Sequence, residues 1–260
     1  MRKAIATVAL SGTLPEKLEA IARAGFAAVE IFADDLEAFP GSARDVRRLT
    51  DALDLEVVLL QPLRNYVGAP AERRAKANES ARRLLENMNQ LGCRLLLACS
   101  ATDAATSPEP AAQIEDLRRL ADLAQQHGCA VAFEALAWGK YVNRLSQAWD
   151  RVRAAAHPHL GVMLDSFHVL VQGEGRVKSW PSRPTSSTLF KWRMPPSGPR
   201  RPCRSINGAG TTAVSPAKAR WRWRRLPHRR GGPGIRASGR WRFSTIVTGS
   251  QRRRRWPRKV

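Results

Sequence analysis

Three residues of this 260-residue chain stand where side chains can do chemistry: Glu134, Asp165 and His168. Glu134 closes the apolar run Cys129–Phe133, and Asp165 closes Gly161–Leu164. A carboxylate at the end of a buried strand is costly unless it is ion-paired or binds a metal. Asp165 has another role open to it, capping a helix that follows. His168 comes three residues after Asp165, within reach of the same place. Imidazoles titrate near neutrality, so it suits proton transfer or substrate binding, although a lone histidine is more often a packing residue. Arg64 follows Gln61-Pro62 and can either clamp a substrate carboxylate bidentately or lie on the surface. Glu30 ends another apolar run and can bind a substrate hydroxyl or support metal ligands from behind. Trp138, Lys140 and Asn143 lie in the segment after Glu134, where Trp138 reads as packing and Lys140 as a substrate contact.

Two alternating patterns must position these residues. Short β-rich runs fall at Lys3–Leu10, Ala27–Phe32, Leu55–Gln61, Cys93–Ser100, Cys129–Ala135 and Leu160–Asp165. Helical stretches lie between them, at about 14–24, 42–53, 71–91, 109–127 and 144–156. In the third, Leu84, Leu85, Met88 and Leu91 keep helical spacing and Gly92 reads as a C-cap. Strands alternating with helices predict right-handed βαβ units and a parallel sheet. Nearly continuous apolar strands predict a sheet covered on both faces. Six such repeats with no GxGxxG after the first strand favour a (β/α)8 TIM barrel over a dinucleotide-binding sheet. The polar residues at strand ends, Glu30, Gln61, Ser100, Glu134 and Asp165, then mark the C-terminal rim where barrel active sites sit.

The remaining chain has a different character. Residues 1–172 hold 20 Lys+Arg and 21 Asp+Glu, whereas residues 173–260 hold 24 Lys+Arg and the single acid Glu174. The net charge of +22 is therefore a property of the C-terminal part alone. That part also carries 10 of the 17 prolines and 6 of the 8 tryptophans, without apolar periodicity. Self-repulsion opposes its compaction. The reading is an incomplete barrel over residues 1–177 with about six βα units. A basic Arg/Pro/Trp-rich tail over 178–260 follows, expected to be irregular and disordered. Such a barrel would leave the edges of its first and sixth strands unpaired. No run of about 18 apolar residues predicts a membrane span, and Met1–Leu10 does not read as a signal peptide. Cys93, Cys99, Cys129 and Cys203 show no CxxC spacing. They read as small buried hydrophobes in a reducing cytoplasm.

The segments VEIFADD (Val29–Asp35), FEALAWGKYVNR (Phe133–Arg144) and LDSFHVL (Leu164–Leu170), with the opening ATVALSGTLPEKLEAIARAGF, resemble the bacterial metal-dependent 3-dehydroshikimate dehydratases. These are xylose isomerase-like barrels of the sugar phosphate isomerase/epimerase superfamily. The resemblance covers about residues 1–177. It implies dehydration of 3-dehydroshikimate to protocatechuate, and a divalent metal held by four side chains at the barrel mouth. Glu134 and Asp165 match two of those ligands, and His168 matches the family's active-site histidine. Such oxygen ligands suit Mg²⁺ or Mn²⁺, with Co²⁺ and Zn²⁺ as the alternatives. Relatives carry Arg-His where this chain has Lys140-Tyr141. They occur alone or fused to a dioxygenase-like domain. The other two ligands belong to segments like VQxADAP and LEVFND, which this sequence lacks.

A displaced reading frame restores both. Leu189–Pro196, encoded as CTG TTC AAG TGG CGG ATG CCC CCG and read from the third base, gives V-Q-V-A-D-A-P. The same displacement at Trp241–Ile246 gives E-V-F-N-D, and Ser205–Lys218 permits a third family-like segment. These codon choices point to a frameshift near residues 173–180. On that reading the 260-residue chain has little or no activity. Two other functions compete. One is a sugar phosphate isomerase or epimerase on the same barrel. The other is nucleic-acid binding through tail arginines interleaved with Trp221, Trp223, Trp241 and Trp256; incidental, non-specific sticking by charge is the simpler expectation there.

Overall fold

A computed structural model of the chain describes residues 3–174, 188–193 and 244–248. The first half runs β1 (Ala4–Ala6), α1 (Leu14–Arg23), β2 (Ala28–Phe32), α2 (Ala33–Glu37), α3 (Ala43–Ala52), β3 (Glu56–Leu63) and α4 (Ala71–Leu91). It continues through β4 (Leu95–Cys99), α5 (Pro110–Gln126), β5 (Ala130–Glu134), α6 (Leu145–Ala155), β6 (Leu160–Asp165) and α7 (Ser166–Val171). Two further strands are β7 (Thr188–Arg193) and β8 (Ser244–Thr248). Strands β1 to β7 are parallel neighbours in chain order, and β8 pairs antiparallel with both β7 and β1 to close the barrel.

That closure corrects the expectation of open edges on β1 and β6. Thr188–Arg193 and Ser244–Thr248 are rich in β-branched and aromatic residues, which favour strands. The edge strands they join present rows of backbone donors and acceptors that need partners. The return is nevertheless unlike a βα repeat, because β8 runs against its neighbours.

Local signals explain most element boundaries. Thr13 and Glu16 form a capping box at α1, with the Thr13 N–H donating to Glu16 Oε2 at 2.7 Å. Gly92 ends α4 at φ 72°, as its C-cap reading requires, and a Cβ there would strike Arg47 Nη1 at 1.6 Å. Strand β1 is shorter than its sequence suggests. A 3₁₀ turn takes over at Thr7–Ala9, and the buried Thr7 Oγ1 accepts from the Phe32 N–H at 3.0 Å. Helices α2 and α7 are too short to show a period. The second appears in the sequence only as the helix that Asp165 would cap.

The parallel strands divide the apolar residues between two faces, since i and i+2 share a side. Ile5, Val29, Ile31, Leu96, Val131, Phe133 and Val162 pack outward in one large cluster with the helices. Leu59, Leu97, Cys99, Ala132 and Met163 form a separate small cluster on the other face, the inside of the ring. Two residues on from Leu59, Ala132 and Met163 stand Gln61, Glu134 and Asp165. An apolar floor thus carries a polar layer at the C-terminal mouth.

Candidate active site

Glu134 and Asp165 are the last residues of β5 and β6, and His168 lies on the first turn of α7. Strand pairing puts Phe133 beside Val162 and Glu134 beside Met163, so the two carboxylates stand on neighbouring strands at the same rim. Ligand atoms of Glu134, Asp165 and His168 all lie within 4.8 Å of one another, and all three side chains are buried. Asp165 also does what its capping reading foresaw: Oδ1 accepts from the Phe167 N–H at 2.8 Å. The two roles are compatible, because a carboxylate has two oxygens.

His168 is oriented from outside the cluster. Its Nδ1 accepts from the Ala137 N–H at 3.2 Å, which assigns the neutral ring's proton to Nε2. Trp138 stands edge-on to the imidazole with centroids 4.9 Å apart, yet is 58% exposed, so it shields the histidine without being core. The loop carrying Ala137 and Trp138 is tied to the end of β4. Ser100 donates its N–H to Glu134 O at 2.8 Å and accepts the Leu136 N–H at its Oγ, 3.0 Å away. Gly139 is required for that close packing, because a Cβ would lie 2.2 Å from Val142 O and 2.5 Å from Ser100 Oγ. The hydroxyl of Ser100 thus serves the loop. At the end of β4 the interior position belongs to Cys99, whose thiol donates to Glu134 Oε2 at 3.8 Å. Sequence reading took Cys99 as a small hydrophobe. Its place two residues after Leu97, in the parity of the strand, was the signal that marked it.

The other sequence candidates make different contacts. Glu30 is fully buried at β2, and Gln61 Nε2 donates to its Oε2 at 2.6 Å. Arg64 is exposed, 3.4 Å from Asp34 Oδ1, with its guanidinium 5.4 Å from the Phe32 ring centroid. Lys140 is exposed with Nζ 5.9 Å from the Tyr141 ring centroid. Behind Arg64 the β3–α4 loop is fixed by buried Asp116, which accepts from the Gly68 N–H and from Arg74 Nη2, both at 2.7 Å. Cys93, Cys99 and Cys129 are buried and outside any disulfide, and burial pushes the Cys93 thiol up to about 12. Cys203 and the tail tryptophans lie outside the described residues, apart from the backbone of Trp192 in β7. No helix among the described residues is long and apolar enough to cross a membrane.

Residues 18–214 match the family described as xylose isomerase-like TIM barrel. The chain belongs to that family. Within it, the chain is 52% identical over 170 residues to a Pseudomonas aeruginosa protein named 3-dehydroshikimate dehydratase. That match takes in 65% of this chain and 27% of the relative, so the chain spans about a quarter of that protein's length. A Neurospora crassa protein of the same name is 29% identical over 205 residues, covering 68% of this chain and 55% of its own. The solved structure of a xylose isomerase-like TIM barrel/4-hydroxyphenylpyruvate dioxygenase fusion protein superposes with a TM-score of 0.64 at 47% identity. It covers 65% of this chain and 27% of that one. A barrel described with a bound zinc atom shares the fold at a TM-score of 0.62 and 21% identity, covering 66% of each chain.

Proposed function

We propose that this chain carries the barrel of a divalent-metal-dependent 3-dehydroshikimate dehydratase, a hydro-lyase that releases water from 3-dehydroshikimate and leaves protocatechuate. The observation that carries the reading is the convergence of Glu134, Asp165 and His168 within 4.8 Å at the mouth. The identity of 52% to a relative of that name supports the choice of substrate.

The donor set fits a divalent ion. Two carboxylates from adjacent strand ends would hold it through hard oxygen atoms, which suits Mg²⁺ or Mn²⁺ ahead of Co²⁺ or Zn²⁺. When bound, such an ion supplies Lewis-acid polarisation of a substrate oxygen. His168 holds its proton at Nε2, because the Ala137 amide occupies Nδ1, and from there donates to a substrate oxygen on which charge develops. Dehydration of a β-hydroxyketone removes the hydrogen α to the carbonyl and expels the β-hydroxyl; together they leave as water and a C=C bond forms. Arg64 and Lys140, exposed at the rim, supply positive charge for the substrate carboxylate, and Glu30, held by Gln61, serves its hydroxyls.

The tail enters this proposal through the frame. We infer that the chain leaves its ancestral frame after Glu174. That acid is built into the barrel: Oε2 accepts from the Leu145 N–H at 2.6 Å and Oε1 from Ser146 Oγ at 2.6 Å, at the start of α6. None of the 86 residues that follow is acidic. Resequencing the gene across codons 173–182 tests the frame. Conversion of 3-dehydroshikimate with added Mn²⁺, followed by protocatechuate absorbance, tests the activity. The frame-restored protein is expected to turn over and the 260-residue chain to be slow or inactive. No turnover by the restored protein would overturn the dehydratase reading. Equal turnover by both would overturn the need for downstream ligands.

A further inference from the structure

We infer that Cys99 is a positioning residue that holds the Glu134 carboxylate in its ligating orientation, an inference that rests on the metal reading above. Cys99 and Glu134 are register partners at the ends of β4 and β5. The thiol donates to Glu134 Oε2 across 3.8 Å, and both side chains are buried. The other described cysteines use their thiols differently. Cys93 Sγ donates to Leu95 O, and Cys129 Sγ to the carbonyls of Cys93 and His127. Cys129 also has the Arg94 side chain beside it, whereas the side chain that Cys99 reaches belongs to the candidate metal centre.

A thiol is a weak donor to a neutral acceptor. Toward an ionised carboxylate, inside a low-dielectric barrel, the same bond is strengthened. Ligating carboxylates are themselves hydrogen-bonded, and loss of such a partner typically costs 10–100-fold in metal affinity. Cys99 also stands on the apolar floor with Leu97, Ala132 and Met163, so it joins the packed core to the ligand. Its small volume lets the thiol pack there and still reach the carboxylate.

The experiment has two readouts, with the purified frame-restored chain as the parent for both. Mn²⁺ affinity is measured by titration of the free-ion electron paramagnetic resonance signal. Cys99→Val, which keeps the volume and removes the donor, is expected to weaken Mn²⁺ binding by about tenfold, the lower end of that range. Cys99→Ser, which restores a donor, is expected to bind like the parent. The second readout needs no metal: the infrared S–H stretch of Cys99, identified by its loss in Cys99→Ser, should move to higher frequency in Glu134→Leu. A Cys99→Val chain that binds Mn²⁺ as tightly as the parent overturns the positioning role. An S–H band left in place by Glu134→Leu overturns the contact itself. A parent chain that binds no Mn²⁺ overturns the metal reading and the role built on it, even where the S–H band shifts.

Discussion

The two sides of the barrel mouth begin from the same sequence pattern and end differently. On the β2–β3 side, Glu30 follows an apolar run, stands in the middle of β2 and receives an amide from Gln61 on the next strand at 2.6 Å. On the β5–β6 side, Glu134 closes an apolar strand beside a second carboxylate and an imidazole, all within 4.8 Å. Burial alone therefore does not set a carboxylate's surroundings. A neutral amide across the strand gives one carboxylate a donor in place, whereas a neighbouring carboxylate raises the local negative charge, which a bound cation would offset.

The largest effect is expected behind the β3 side. Asp116 is buried and paired with Arg74, and it also holds the Gly68 amide. Removing one partner of such a pair typically costs about 3–5 kcal/mol. Asp116→Ala should therefore lower the urea midpoint steeply, and a loss below about 1 kcal/mol would show that the loop is held by other contacts.

The comparison itself is tested next by paired substitutions. Glu134→Gln should weaken Mn²⁺ binding by more than the roughly hundredfold that bounds the loss of outer partners. Glu30→Gln should change it by less than about tenfold, the lower bound for such partners. Similar losses at both positions would erase the distinction between the two sides.

A smaller effect belongs to Cys93, where burial raises the thiol to about 12. The folded chain then keeps a proton that the unfolded chain gives up. This contribution to stability is complete below the unfolded thiol's range and is lost as pH rises through that range toward 12. Its slope is at most about 1.4 kcal/mol per pH unit. Unfolding free energies of the parent and Cys93→Val should diverge in slope between pH 9 and 12, and parallel curves would contradict the buried thiol. The smallest expected change in stability is at Arg64. Its exposed pair with Asp34 is worth about 0–1 kcal/mol, so Arg64→Ala should barely move the urea midpoint. If it clamps the substrate carboxylate, the same change should weaken 3-dehydroshikimate binding by about tenfold, since hydrogen bonds to charged groups contribute about 1.5–3 kcal/mol. Calorimetric titration checks this.

Much of the barrel was legible because local rules and the global fold agree. Gly92 was marked as a C-cap by its position after Leu91, and the chain turns there at φ 72°. Glu134 and Asp165 were marked by polarity at the ends of apolar runs, and both stand at the mouth. Ser100 shows the limit of that reasoning. Polarity placed it at the rim, but strand alternation sends its hydroxyl to the β5–α6 loop and turns Cys99 inward. The closing strands show another limit. They lie in a stretch without apolar periodicity, and edges left open by β1 and β6 found partners in two short runs far apart in the chain.

The sequence alone determined where strands and helices alternate, which residues cap helices and where the charge changes, because these depend on neighbours a few positions away. Only the tertiary structure decided that Glu134 meets Asp165 and His168 while Glu30 meets Gln61. It alone decided that the Ala137 amide fixes the imidazole's proton and that a cysteine touches the carboxylate. Those outcomes depend on strand register and on loops packed across tens of residues of separation. No local rule encodes a distance between side chains that the chain brings together only when the barrel closes.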